Sequence, residues 1–168
     1  LPDAGPPAVP AAALDGGIEA AAPLPPSYSA ALDLEEREAR AHARFGKGAH
    51  VATLEGRFVV VAPKEMTAAL FRASLDFTDK TLRALLHGRF ERLPEHAMTV
   101  ILFPDAKPYD AYCRKESGAP CISPFGFYDY GPRHLVMNLG PGIGTLSHEL
   151  VHPLVEADAR ELGRVRVL

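Results

Sequence analysis

Residues 148–152 read His-Glu-Leu-Val-His. On a helix, residues four apart share a face, so the imidazoles of His148 and His152 can reach one metal ion. Glu149 lies roughly 100° around the helix from His148, where its carboxylate can hold a water at that metal. This spacing describes a hydrolytic centre with two nitrogen ligands and an adjacent general base. Catalytic sites usually add a third protein ligand and keep the next position for water.

The flanking residues set these groups in place. Leu146, Leu150, Val151 and Leu154 recur at helical spacing and anchor one face of the helix in a core. Thr145 and Ser147 are candidate N-caps. Pro153 removes a helical bond to the carbonyl of Glu149, so the helix is expected to end or bend just after His152. Before the helix come a turn, Gly140-Pro-Gly-Ile-Gly144, and a strand, His134–Leu139. The glycine spacing does not make a dinucleotide loop. Its third glycine falls where Thr145 stands, and no Gly-Lys-Ser/Thr follows. A nucleotide-binding domain is therefore a distant third reading.

Residues 145–154 and the strand before them resemble the active-site region of zincin metallopeptidases, and most closely the bacterial peptidase-MA-like, gluzincin-type domains. The resemblance implies Zn²⁺, with His148 and His152 as ligands and Glu149 as general base. It also implies that His134–Leu139 is an edge strand able to pair with an extended peptide or protein substrate. Gluzincins take their third ligand from a Glu on a later helix, and no such motif follows here. Asp158 lies ten residues after His148, the metzincin offset, but Val155 stands where that pattern needs glycine. Glu156 is aimed poorly on a straight helix. The expectation is a domain incomplete at its C-terminal end, with sixteen residues after His152. The alternative is a non-catalytic zincin-like domain that binds peptides or partners.

Other residues carry two readings each. His134, beside Arg133, is either a substrate-orienting or ligating group or an exposed strand-end histidine. Tyr128 and Tyr130 either donate to a tetrahedral intermediate or pack as aromatics. Asn138 contacts substrate backbone or ends its strand. Cys113 and Cys121 form a disulfide or remain two half-buried thiols.

The rest of the chain supplies scaffold. Of 168 residues, 47% are hydrophobic and 23% charged, which suits one globular domain. The net charge of −3 and the absence of a basic run argue against nucleic-acid binding. No apolar stretch is long enough to span a membrane. Residues 1–27 hold seven of the sixteen prolines and eight alanines, and read as a disordered tether. The first residue, Leu1, fits a fragment or a processed precursor, and an exported protein is the expected setting. The folded domain is placed at residues 28–168. Helices are expected over Ala30–Phe45, from Pro63 to about Leu86, and over Asp105–Glu116. In the second of these, Met66, Leu70, Ala73 and Phe77 form the packed stripe, and Leu75, Leu82, Leu85 and Leu86 widen it. Residues 50–61 read as a hairpin turning at Glu55-Gly56, Met98–Phe103 as a buried strand, and the stretch from Gly118 through Gly126 as a loop. The fold class is α+β: a small mixed sheet, helices on one side, and an edge strand before the metal helix.

Overall fold

The computed structural model describes residues 28–161. The expected tether and the last seven residues lie outside this range. Five strands form one sheet in the order β1-β2-β3-β5-β4. They are β1 (His50–Leu54), β2 (Phe58–Ala62), β3 (Met98–Phe103), β4 (Gly126–Asp129) and β5 (His134–Asn138). The two central pairings, β2 with β3 and β3 with β5, are parallel; the two outer ones are antiparallel. The mixed α+β class is as expected.

Local chemistry explains the hairpin. Arg57 N–H closes the turn onto Leu54 C=O at 3.1 Å, and both central residues, Glu55 (φ 49°) and Gly56 (φ 60°), have positive φ. That is the type I′ combination whose twist suits a hairpin. β2 and β3 are buried along their full length, as strands covered on both faces must be.

Alternation divides the core in two. Phe58, Val60, Met98, Val100, Leu102, Leu135 and Met137 point to one face. Val59, Val61, Ile101, Phe103 and Val136 point to the other. Helices α2 (Ala68–Gly88), α4 (Gly144–Glu149) and α5 (Val151–Glu161) lie on the first face; Phe71, Leu82, Leu146, Leu150 and Leu154 carry the packing. Helices α1 (Ala30–Phe45) and α3 (Ala106–Ser117) cover the second through Ala41, Tyr109 and Cys113. The expectation of helices on one side is thus corrected. Two apolar sheet faces need two covers.

Three further expectations change. α2 begins at Ala68 rather than Pro63, because Pro63–Met66 closes a turn (Met66 N–H to Pro63 C=O, 3.0 Å) and Thr67 caps the helix by accepting from Leu70 N–H at 3.2 Å. Its buried line is Phe71, Ser74, Thr78 and Leu82, while Leu70 and Ala73 face outward. Thr78 Oγ1 donates to Ser74 C=O at 2.7 Å, so a polar residue fits this inner line. The strand before the metal helix, β5, is interior, between β3 and β4. The edge belongs to β4, within a stretch expected to be loop up to its first residue.

Candidate metal centre

The helix bearing His148 and His152 is interrupted. α4 ends at Glu149, α5 starts at Val151, and Leu150 joins them in right-handed helical conformation (φ −65°, ψ −20°). The break falls between the two histidines rather than after the second. Pro153 explains it: it has no N–H for the carbonyl of Glu149, and it is tolerated in the first turn of α5. The start of α4 also differs from expectation. Ile143 occupies the N-cap with no side-chain bond, and Thr145 and Ser147 lie inside the helix, Ser147 Oγ donating to Gly144 C=O at 2.6 Å.

Despite the interruption, His148, Glu149 and His152 converge. One donor atom from each lies within 4.8 Å of the others, and the group could hold a metal ion. The imidazole centroids are 5.4 Å apart with the rings nearly perpendicular. Glu149 Oε2 lies 3.7 Å from His152 Nε2. His148 is exposed, His152 half-buried and Glu149 only 8% exposed. Leu146, Leu150 and Leu154, each fully buried, fix the backbone beneath them.

Tyr128 joins this group from β4. Its ring stacks near His152 at 6.3 Å between centroids, and its hydroxyl donates to Glu156 Oε2 at 3.4 Å. Burial, then the nearby Glu156 carboxylate, push its ionisation well above the usual phenol range. Tyr130 packs on Tyr128 at 4.4 Å, and its phenol is also pushed up, by burial and then by Glu156 and Glu149. Both tyrosines therefore remain proton donors through neutral pH.

Other candidates lie elsewhere. Asp158 accepts from the backbone N–H of Glu91 at 3.4 Å, beyond the end of α2, and is outside the His/Glu/His group. Glu156 is engaged by Tyr128. Asn138 ends its strand: its amide donates to Pro124 C=O at 2.9 Å and its Oδ1 accepts from Gly140 N–H at 3.0 Å. His134 shares its sheet face with Val136, so it points to the α1/α3 side, away from α4 and α5. Burial, then Arg37 and Arg44, lower its pKa to about 4.

β4 (Gly126–Asp129) is a strand where a loop running to Gly126 is expected and no strand after it. The aromatic residues of Phe-Gly-Phe-Tyr-Asp-Tyr (125–130) were its signal. β4 is held tightly to β5: a Cβ on Gly126 would stand 2.6 Å from Met137 Sδ and 2.9 Å from the carbonyl oxygen of Val136. Asn138 N–H donates to Phe125 C=O at 2.9 Å, which sets the phase of the ladder. Phe127 then turns its backbone groups toward β5, and Tyr128 turns its own toward the open edge.

A disulfide joins Cys113, on α3, to Cys121, in the segment leading to β4. Of the two readings of these cysteines, the bonded one holds. No helix among the described residues is long and apolar enough to cross a membrane.

Fold and site together define an α+β domain with a candidate metal centre at an interrupted helix. No protein-family model, curated protein or solved structure matches the chain.

Proposed function

We propose that the chain is a zinc-dependent metallopeptidase, with His148 and His152 as metal ligands and Glu149 as general base. The convergence of these three side chains beside an open sheet edge carries the reading. The donors fit the metal as far as they go: His148 and His152 offer two imidazole nitrogens, which Zn²⁺ accepts, and Glu149 stands beside them as the base rather than as a ligand. When bound, zinc supplies Lewis acidity and lowers the pKa of water toward ~7.

The chain's own groups do the rest. Glu149, shielded from bulk water, takes a proton from the attacking water and passes it to the leaving amine nitrogen. Tyr128 and Tyr130 hold phenolic protons beside the centre, within a protein environment that keeps them un-ionised. The backbone N–H and C=O of Tyr128 face the open edge, where an extended peptide gains two hydrogen bonds per matched residue. The substrate strand is thus β4's partner rather than β5's. An exported setting is part of this proposal; the disulfide supports it, because such bonds persist in oxidising compartments.

One distance favours a second reading. Glu149 Oε2 lies as close as 3.7 Å to His152 Nε2, so Glu149 can itself be a ligand. A site of that kind would bind metal and partner peptide with no base left for turnover. Glu149→Gln separates the two. On the peptidase reading, elemental analysis finds roughly one zinc per chain in wild type and variant alike. Peptide hydrolysis then drops about 10²- to 10⁴-fold in the variant. Loss of zinc in Glu149→Gln supports the non-catalytic reading. Absence of zinc from the wild type removes both.

A further inference from the structure

Resting on the peptidase reading, we propose that the groove on the α3 side of β4 is a side-chain subsite, selecting substrates with a large apolar residue at the position paired with Phe127. A peptide added to the β4 edge sends successive side chains to opposite sheet faces. Those beside Tyr128 face the His/Glu/His group. Those beside Phe127 face the α1/α3 side, where a cavity of about 490 Å³ opens along the strand. Tyr112, Phe127, Val136, Ile122 and the Cys113–Cys121 disulfide line it.

Two observations point to an apolar occupant arriving from outside. Among the described residues, six large hydrophobic side chains are exposed, and three of them, Ile122 (85%), Phe125 and Tyr130, fall within nine residues around this edge. Exposed apolar surface concentrated in this way marks a binding face. The acidic groups on the rim are already engaged. Glu116 pairs with Arg44, and Asp129 Oδ1 accepts from Gly131 N–H at 3.3 Å. Arg44 thus offsets the charge of Glu116, Asp129 keeps its own at the mouth, and along the apolar wall between Tyr112, Ile122, Phe127 and Val136 burial of apolar area is the available gain. The disulfide holds the groove's outer wall: it ties the segment carrying Ile122 to α3, which is packed on β3 and β5.

A mixed library of octapeptides, incubated with the zinc-loaded chain and read by mass spectrometry, tests the proposal. Leu, Ile, Met or Phe should be selected at one fixed position relative to the cut. In the best-cleaved peptide, Gly at that position should lower kcat/KM about tenfold or more. Ile122→Asp should bring the apolar-to-Gly ratio close to one, and Ile122→Ser should lower it partway. Leu32→Asp, at an exposed apolar residue on α1, should leave it unchanged. Cleavage without apolar selection, or a ratio that survives in Ile122→Asp, overturns the subsite and leaves the peptidase reading standing. A zinc-loaded chain that cleaves no peptide overturns both.

Discussion

The two faces of the sheet treat histidine in opposite ways. On the α4/α5 face, His148 and His152 stand together with the Glu149 carboxylate against them. On the α1/α3 face, His134 is half-buried among Arg37 and Arg44, the strongest charged neighbours acting on it. One setting suits an added cation. The other already holds cations that are themselves expensive to bury. Arg37 is only 8% exposed and needs Asp33 at 3.0 Å, Thr99 Oγ1 at 3.3 Å and Pro132 C=O at 3.0 Å to be tolerated there. A histidine is thus a ligand candidate by its neighbours, and neighbours are chosen by the face to which a strand or helix turns it.

Metal titration is the strongest attempt to break this contrast. His148→Ala and His152→Ala should each weaken Zn²⁺ binding by more than about 100-fold, since even groups that only orient a ligand are worth 10- to 100-fold. His134→Ala should leave the affinity unchanged. Competition against a chelating dye reads all three. A loss in His134→Ala of the same size would mean that the two faces are not independent.

Next in size is the packing that holds the metal face. Leu154 is fully buried one turn beyond the interruption, next to Leu150 and Leu146. Leu154→Ala should cost about 2–5 kcal/mol in a urea melt, from lost transfer energy and the cavity left behind. Val155, 46% exposed in the next position, should cost under about 0.5 kcal/mol as Val155→Ala. Near-equal losses would show that α5 does not pack as described.

The difference between these neighbours was readable in the sequence, because Leu146, Leu150 and Leu154 recur every four residues. So was the convergence of His148 and His152, which depends only on helical spacing. The hairpin was readable from Glu55-Gly56, and β3 from its unbroken apolar run. What escaped was set by distant parts of the chain. The edge position of β5 was implied only by the zincin resemblance, and nothing local to His134–Asn138 reveals that β4 pairs on its far side. β4 itself begins at a glycine in a proline-rich stretch, and its aromatic residues gave way to those turn signals. The outlook of His134 depends on which face α4 and α5 cover, and that is a packing outcome. Of the expected α2 stripe, Met66 and Leu82 are buried but Leu70 and Ala73 are not, because the inner line passes through Ser74 and Thr78, which look like surface residues until Thr78 is seen bonded to its own helix. The two faces needed the whole fold to be told apart.

The smallest effect, and the one most specific to the α1/α3 face, is a pH dependence. His134 has its pKa lowered from 6.5 to about 4, chiefly by burial and then by Arg37 and Arg44. The unfolded chain therefore binds a proton between these values that the native chain does not. Stability contributed by the neutral ring is fully present above pH about 6.5, and is lost as pH falls toward 4. Discounted for partial exposure of the ring, the loss is on the order of 2 kcal/mol. Urea melts between pH 7 and pH 4.5 should show it in the wild type. His134→Asn keeps a polar side chain of related shape with no proton to gain, so its slope should be shallower by that amount. Arg44→Met should move the dependence toward higher pH, because removing a cation lets His134 protonate earlier. An unchanged slope in both variants would place the acid sensitivity elsewhere and leave His134 without the electrostatic setting that separates it from His148 and His152.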